Sequence, residues 1–381
     1  MTRHPNRIHA ITAVLRACIR HAIGSFLLLS PICASAQPAP APAPAPAPAS
    51  TPDAAPAPAP PAQTILDDLR TEAAAVRALV KTDAAKAFLA AVDKLGLPTM
   101  RTVWRDKDKT VVYSQPEFLA LSPAKRVGLT KREYNPTFYY TTAYGTPLVY
   151  ARPLDLLADR AGMTSFAGMK ICDFGYGTIG HLRLLALNGA DITGVDVEPT
   201  LRAIYSLPGD TGPIAGVDSA TGKPHEGRVT VLNGRWPADA AIKAKVGSGL
   251  DLFVSKNTLK RGYIHPARAV DEKFLVHLGV DDKTFVKSVH DALKPGGFFL
   301  IYNLSPRQNP DDKPYLPHAD GQMPFPREML EKAGFEVLVY DQDDRAAAVD
   351  WWMALGIGEG KSKEEVREDL FAWWMVARRN R

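Results

Sequence analysis

Cysteine is nearly absent from this chain. Among 381 residues there are three, Cys18, Cys33 and Cys172. Two fall in the opening 36 residues, so a chain trimmed of that opening keeps only Cys172 and can form no internal disulfide. Its fold must rest on an apolar core. Acid is missing from the same opening: residues 1–36 contain no Asp or Glu. They carry Arg3, Arg7, Arg16 and Arg20, then an apolar run from Ala22 to Leu29, then "CASA" with small residues at Ala34 and Ala36. A basic start, a short apolar run and an A-x-A close have the form of an export signal cleaved near Ala36, with a periplasmic or secreted destination. An uncleaved amphipathic N-terminus or a misassigned start codon is the alternative. The apolar run is shorter than the roughly 20 residues of a membrane span. Ile32 stands where a lipidated cysteine would follow a small residue. Cleavage would remove four of the five excess positive charges and leave +1. The basic pI is then no argument for nucleic-acid binding. No H-E-x-x-H, paired C-x-x-C, G-x-S-x-G or Walker lysine motif occurs, so no metal site is expected.

Proline is plentiful in one place. Residues 38–62 read "PAPAPAPAPAPASTPDAAPAPAPPA". Alternating Pro and Ala removes backbone donors and favours an extended polyproline form, with a reach of about 75 Å at ~3.1 Å per residue. Residues 37–63 therefore read as a linker, or as a docking tract for a proline-binding partner. From Thr64 apolar residues recur at helical spacing, which predicts two amphipathic helices. A short hairpin is expected around Asp106–Lys109, then an aromatic stretch broken by Pro136 and Pro147. Residues 64–150 make a helical and aromatic cap, and 151–381 the main domain.

From Met169 short apolar strands alternate with helices. Strands are expected at Lys170–Asp173, Asp191–Asp196, Arg228–Leu232, Asp251–Ser255, Phe298–Leu304, Phe335–Asp341 and Phe371–Arg378. Helices are expected at Gly180–Asn188, Asp281–Leu293 and Pro326–Ala333. This order predicts an α/β fold, a doubly wound and mostly parallel sheet covered on both faces.

Gly175, Gly177 and Gly180 form G-x-G-x-x-G between the first strand and its helix, and Asp196 closes the next strand. Such a turn lets a ligand approach the backbone, and such an acid accepts hydrogen bonds from ribose hydroxyls. A dinucleotide fits this pair of features as well. Asp173, directly before the turn in "DFGYG", would repel a pyrophosphate and hold a cationic group. S-adenosylmethionine has a sulfonium and an ammonium and no phosphate.

With that acid the region from about Leu148 to Arg381 resembles the class I S-adenosylmethionine-dependent methyltransferases. The D-x-G-x-G turn is Asp173, Gly175 and Gly177; the acid after strand two is Asp196; L-K-P-G-G is Leu293 to Gly297; A-G-F is Ala333 to Phe335. The resemblance implies a seven-stranded sheet whose last strand is antiparallel. It also implies a cofactor site of Asp173, Gly175, Gly177, Gly180, Asp196, Val197, Asn233, Trp236 and Ser255. There are departures. Ile179 replaces a frequent third glycine and Tyr176 fills a slot usually small, both placed to crowd the methionine end; Asn233 stands where an acid is common, able to hydrogen-bond an amino group, and Trp236 is placed to stack on adenine.

Methyl transfer needs alignment more than a triad. Candidate acceptor-side groups follow strand four, Lys256, Asn257, Tyr263 and His265, with His318 and Asp320 in the loop after strand five. Lys256, His265 and His318 are the candidate bases. The expected activity is methyl transfer to a small-molecule or surface-presented acceptor. A non-catalytic binding protein on the same scaffold and a nicotinamide-dependent oxidoreductase are the alternatives. No nucleic-acid partner is expected, since the D/N-P-P-Y/F motif is missing and "SKNT" stands near its place.

Overall fold

The computed structural model describes residues 62–358 and 360–381. The expected export signal and nearly all of the linker lie outside these residues. A helix, Ala62–Val76, already takes in the last two residues of the expected linker. Residues 62–381 form one contact unit.

The cap contains a small sheet as well as helices. Strands β1 (Arg101–Arg105), β2 (Val112–Ser114) and β3 (Thr130–Tyr134) pair antiparallel in the order β2-β1-β3. The expected hairpin is present, with Arg105 opposite Val112. The third strand was not legible because "TKREY" is exposed at four of five positions and shows no alternation.

The main sheet has eight strands: β4 (Lys170–Phe174), β5 (Asp191–Asp196), β6 (Gly212–Val217), β7 (Pro224–Asn233), β8 (Leu250–Lys256), β9 (Leu293–Pro306), β10 (Phe335–Asp343) and β11 (Leu370–Arg379). Their order is β10-β11-β9-β8-β4-β5-β7-β6. The strands from β9 to β7 run parallel, and β11 runs antiparallel to both β9 and β10. All seven strands expected from the sequence are present. The eighth, β6, adds an antiparallel edge beyond β7. Its "GPIAGV" has too much Gly and Pro to read as a strand, yet proline is tolerated on an edge. Gly216 and Gly227 face the helix Gly180–Leu187 so closely that a Cβ would meet the Ala186 carbonyl oxygen at 2.6 and 2.0 Å.

Strand alternation sorts the interior into two layers. On β8, Leu252 and Val254 face one core and Phe253 the other; on β9, Leu300 and Tyr302 oppose Phe299 and Ile301 in the same way. The second layer holds the helices Asp282–Ala292 and Arg327–Lys332, through Phe285, Val286, Val289 and Leu330. The first holds helices Gly180–Leu187 and Ala151–Ala161 together with the cap, so Ile65, Phe88, Tyr140, Leu182 and Val254 belong to one continuous core. Residues 64–150 thus share the core of the sheet. A buried carboxylate fastens them: Asp155 accepts from Lys81 N (3.0 Å), Thr82 N (2.8 Å) and Thr82 Oγ1 (2.8 Å). Arg101 and Asp210 make a second buried tie, 2.6 Å apart.

Candidate functional site

Strand β4 lies at the centre. The chain leaves it for β5 on one side, while β8 and β9 build out on the other. That reversal opens a crevice at the carboxyl ends of the strands, where ligands of open α/β sheets sit.

The glycine turn lies there. Gly175 and Gly177 hold φ of +79° and +58°, and Gly175 N donates to the Val195 carbonyl at 2.8 Å. Gly177 N donates to Asp196 Oδ2 at 3.2 Å, and Glu198 N to Asp196 Oδ1 at 3.0 Å. Close packing nevertheless pushes the Asp196 carboxyl up to about 6, with these backbone donors opposing. Asp196 keeps some solvent contact, and Val197 beside it is 61% exposed. Asn233 pairs in register with Asp196, donates from Nδ2 to its carbonyl at 3.1 Å, and leaves its own Oδ1 free to accept. An acid, an apolar wall and an amide acceptor on one edge fit the ribose and adenine of a nucleoside.

The other end of the turn is closed. Asp173 has no exposed surface, and its Oδ2 lies 2.5 Å from His181 Nε2. His181 is equally buried and stacks on Tyr150, with ring centroids 3.5 Å apart and planes 5° from parallel. Burial holds the imidazole below its ordinary pKa, with Asp173 opposing, and drives the Tyr150 hydroxyl well up, the Asp173 carboxyl adding to the rise. Among the described residues Asp173 Oδ1 and His181 Nδ1 have no hydrogen-bond partner. Thr258 packs onto the turn, where a Cβ on Gly175 would lie 2.1 Å from its hydroxyl. As folded, Asp173 serves His181 and offers no open face to an ammonium group.

Two expectations about the turn are corrected. Tyr176 does not crowd the crevice: it is 3% exposed and packs onto Gly194, where a Cβ would meet its ring at 2.8 Å. Gly180 faces the cap, 2.7 Å from Pro147 Cβ and 2.8 Å from the Tyr140 carbonyl by the same measure, and makes room for protein. Trp236 is 1% exposed among Phe174, Phe253 and Phe285, so no ring face remains for adenine. Ser255 is fully buried and donates to the Phe174 carbonyl at 3.0 Å.

Of the candidate bases, Lys256 reaches the cluster. It ends β8 on the face that carries Asp173, and its ammonium lies 5.5 Å from the Tyr150 ring centre. Burial lowers it to about 8, with Asp173 opposing. Neighbouring Lys260 donates to the Leu304 and His318 carbonyls at 2.5 and 2.9 Å, and burial, with Lys256 adding to it, lowers it to about 7. His265 is instead 47% exposed in its side chain and bonds Asp282 at 2.7 Å. His318 contributes its carbonyl, and partial burial, with Lys260 adding to it, holds its imidazole below the ordinary pKa. Asn257 has a left-handed backbone with φ +64° and accepts from Leu304 N at 2.7 Å. Asp320 is held by Arg261 and Tyr315 at 2.9 and 2.7 Å. Trp351, Arg152 and Tyr302 line a narrow groove on the same side of the sheet as Lys256. Sequence reasoning missed Tyr150 and His181. The available signal was a histidine one residue past the last glycine, on the helix turn that packs over the acid near the end of β4.

A buried ammonium binds fewer protons than its unfolded counterpart between the two pKa values. Stability should therefore rise with pH from about 8 to ~10.4, by at most ~1.4 kcal/mol per unit for one group. Lys256→Met is expected to flatten that rise, as read from urea midpoints at several pH values.

Seven strands ordered 6-7-5-4-1-2-3, with the seventh antiparallel, remain when β6 is set aside. The fold is that of the class I S-adenosylmethionine-dependent methyltransferases. No protein-family model matches the chain, and no curated protein does. Solved structures similar to it include the [4+2]-cyclase SpnF, at 20% identity over 60% of this chain and 80% of that one, TM-score 0.35. An S-adenosylmethionine-dependent methyltransferase from Mesorhizobium loti is 17% identical over 58% of this chain and 96% of that one, TM-score 0.32. Geranyl diphosphate methyltransferase in complex with SAM is 14% identical over 61% and 86%, TM-score 0.34. The strand order, and not these scores, carries the fold.

Proposed function

We propose that this domain binds S-adenosylmethionine and transfers its methyl group to a small-molecule or surface-presented acceptor, in the periplasm or outside the cell. The observation that supports it most is Asp196. The glycine turn aims a backbone N–H at this carboxyl, burial raises its pKa against its backbone donors, and Val197 and Asn233 complete a nucleoside-shaped edge. The bound cofactor would supply an electrophilic methyl on a sulfonium. Asp196 would hold the ribose, Val197 and Asn233 the adenine. Lys256, neutral above about pH 8, is placed to accept a proton from an acceptor over the β8 end.

One observation favours a second reading, a binding protein without catalysis on the same scaffold. The methionine end does not fit as folded, because Asp173 is sealed against His181 and Thr258 covers Gly175. Catalysis would require this end to open, whereas nucleoside binding at Asp196 would not.

Calorimetric titration separates these readings. S-adenosylmethionine is expected to bind the full chain in the micromolar range and NAD not at all. Binding of adenosine with an affinity equal to S-adenosylmethionine would show that the methionine end adds nothing and would select the second reading. Silence with all three would sink both.

A further inference from the structure

Among the described residues six large apolar side chains are exposed, and five of them, Leu97, Met100, Val111, Leu119 and Val127, fall between residues 97 and 127. Three gather at one end of the small sheet. Val111 closes the β1–β2 hairpin, where Asp106 N donates to its carbonyl at 3.2 Å, and it is 40% exposed. Val127 stands three residues before Thr130, which pairs with Arg105 at that same end, and is 82% exposed. Leu119 is 60% exposed and is joined to this end by Arg126, whose NH2 donates to the Leu119 carbonyl at 2.7 Å.

The surroundings are basic. Lys107, Lys109, Lys125, Lys131 and Arg132 are all exposed. Residues 105–133 hold seven Lys or Arg against four Asp or Glu, a net of +3, whereas residues 37–381 as a whole net only +1. The rest of that stretch is therefore net negative, and the positive charge is concentrated where the apolar side chains project.

We propose that this end of the sheet is a docking surface for an anionic lipid bilayer. Lysines on both loops pair with lipid phosphates, while Val111, Leu119 and Val127 enter the acyl boundary. The chemistry favours lipid over an acidic protein. A protein partner is anchored by open aromatic side chains, but here Trp104 stacks on Phe118 at 4.2 Å and Arg126 covers that ring at 5.1 Å. What projects is aliphatic and separated, on a surface of net positive charge in which Asp108 and Glu133 also lie and Lys131 pairs with Glu133, and this suits a fluid surface without pockets. Attachment of this kind is peripheral: no helix among the described residues is long and apolar enough to cross a membrane. The proposal stands apart from the ligand reading, since it uses no crevice residue.

The test is flotation of the full chain with vesicles of phosphatidylcholine, with and without about 30 mol% phosphatidylglycerol. Binding is expected only with the anionic lipid and should weaken in high salt. Val127→Asp and Leu119→Asp, both at exposed positions, should each reduce binding roughly tenfold with an unchanged circular dichroism spectrum. Lys107→Glu with Lys109→Glu should remove the salt-sensitive part. Because every variant keeps residues 1–61, a loss reports on this surface. Equal binding by wild type and all variants would overturn the proposal. So would retention on immobilised polyglutamate without vesicle binding, which would indicate an acidic protein instead.

Discussion

Replacing His181 by alanine is expected to remove about 3–5 kcal/mol of unfolding free energy at neutral pH. His181 bonds one oxygen of the Asp173 carboxyl, the other oxygen has no hydrogen-bond partner among the described residues, and neither residue has exposed surface. A hydrogen bond to a charged group contributes about 1.5–3 kcal/mol. The alanine would also vacate the face of Tyr150, on which the imidazole lies at 3.5 Å, and a cavity adds its own cost. His181→Gln keeps a donor and should lose roughly half as much. Denaturation in urea reads the difference as a shifted midpoint at constant slope. The pH dependence is a second signature. Burial holds His181 below the 6.5 of the unfolded chain, so the unfolded state binds more protons as pH falls through about 6.5. Wild type should lose stability over that interval, and the alanine variant should lack the decline. A loss below about 1 kcal/mol would mean that Asp173 finds another partner, with Tyr150 the nearest.

Asp196→Ala should lower affinity for S-adenosylmethionine by about 10- to 100-fold at pH 7.5, as expected for two hydrogen bonds from ribose hydroxyls to a carboxylate. Hydroxyl donors favour the charged carboxyl, and this one is pushed up to about 6. Affinity should therefore be level above pH 7 and fall toward tenfold per pH unit below about 6, with uptake of a proton by the free protein. In the absence of ligand the sign is opposite. A raised carboxyl pKa makes the folded state bind more protons between 3.8 and about 6, so stability should decline as pH rises across that window. Calorimetry at pH 5, 6 and 7.5 tests both. Unchanged affinity in Asp196→Ala would remove the residue from the ligand site.

The strand ladder was legible from residue 170 onward because parallel strands buried on both faces read as short apolar runs. "KICDF", "DITGVD" and "LDLFVSK" are such runs, and their ends lay within two residues of expectation. The candidate ribose edge was legible too, since Asp196 follows the glycine turn at a spacing set by one helix and one strand. Two strands were not. β6 is assembled from glycines that fit only because the helix Gly180–Leu187 lies against them, and β3 shows no apolar face of its own.

Residue types and spacings by themselves determined the layered α/β order and the glycine turn with Asp196 closing the next strand. Tertiary structure alone decided what each polar group near the turn does. Asp173 looks like a ligand group in the sequence, and the fold gives it to His181. Trp236 looks like a stacking platform, and the fold buries it among three phenylalanines. Lys256, His265 and His318 are equal candidates as letters, and only the strand register carries the first toward Tyr150, while His265 pairs with Asp282 and His318 gives its carbonyl to Lys260. The physical reason is that hydrogen-bond partners and desolvation depend on contacts between residues far apart in sequence, whereas strand and turn signals are local.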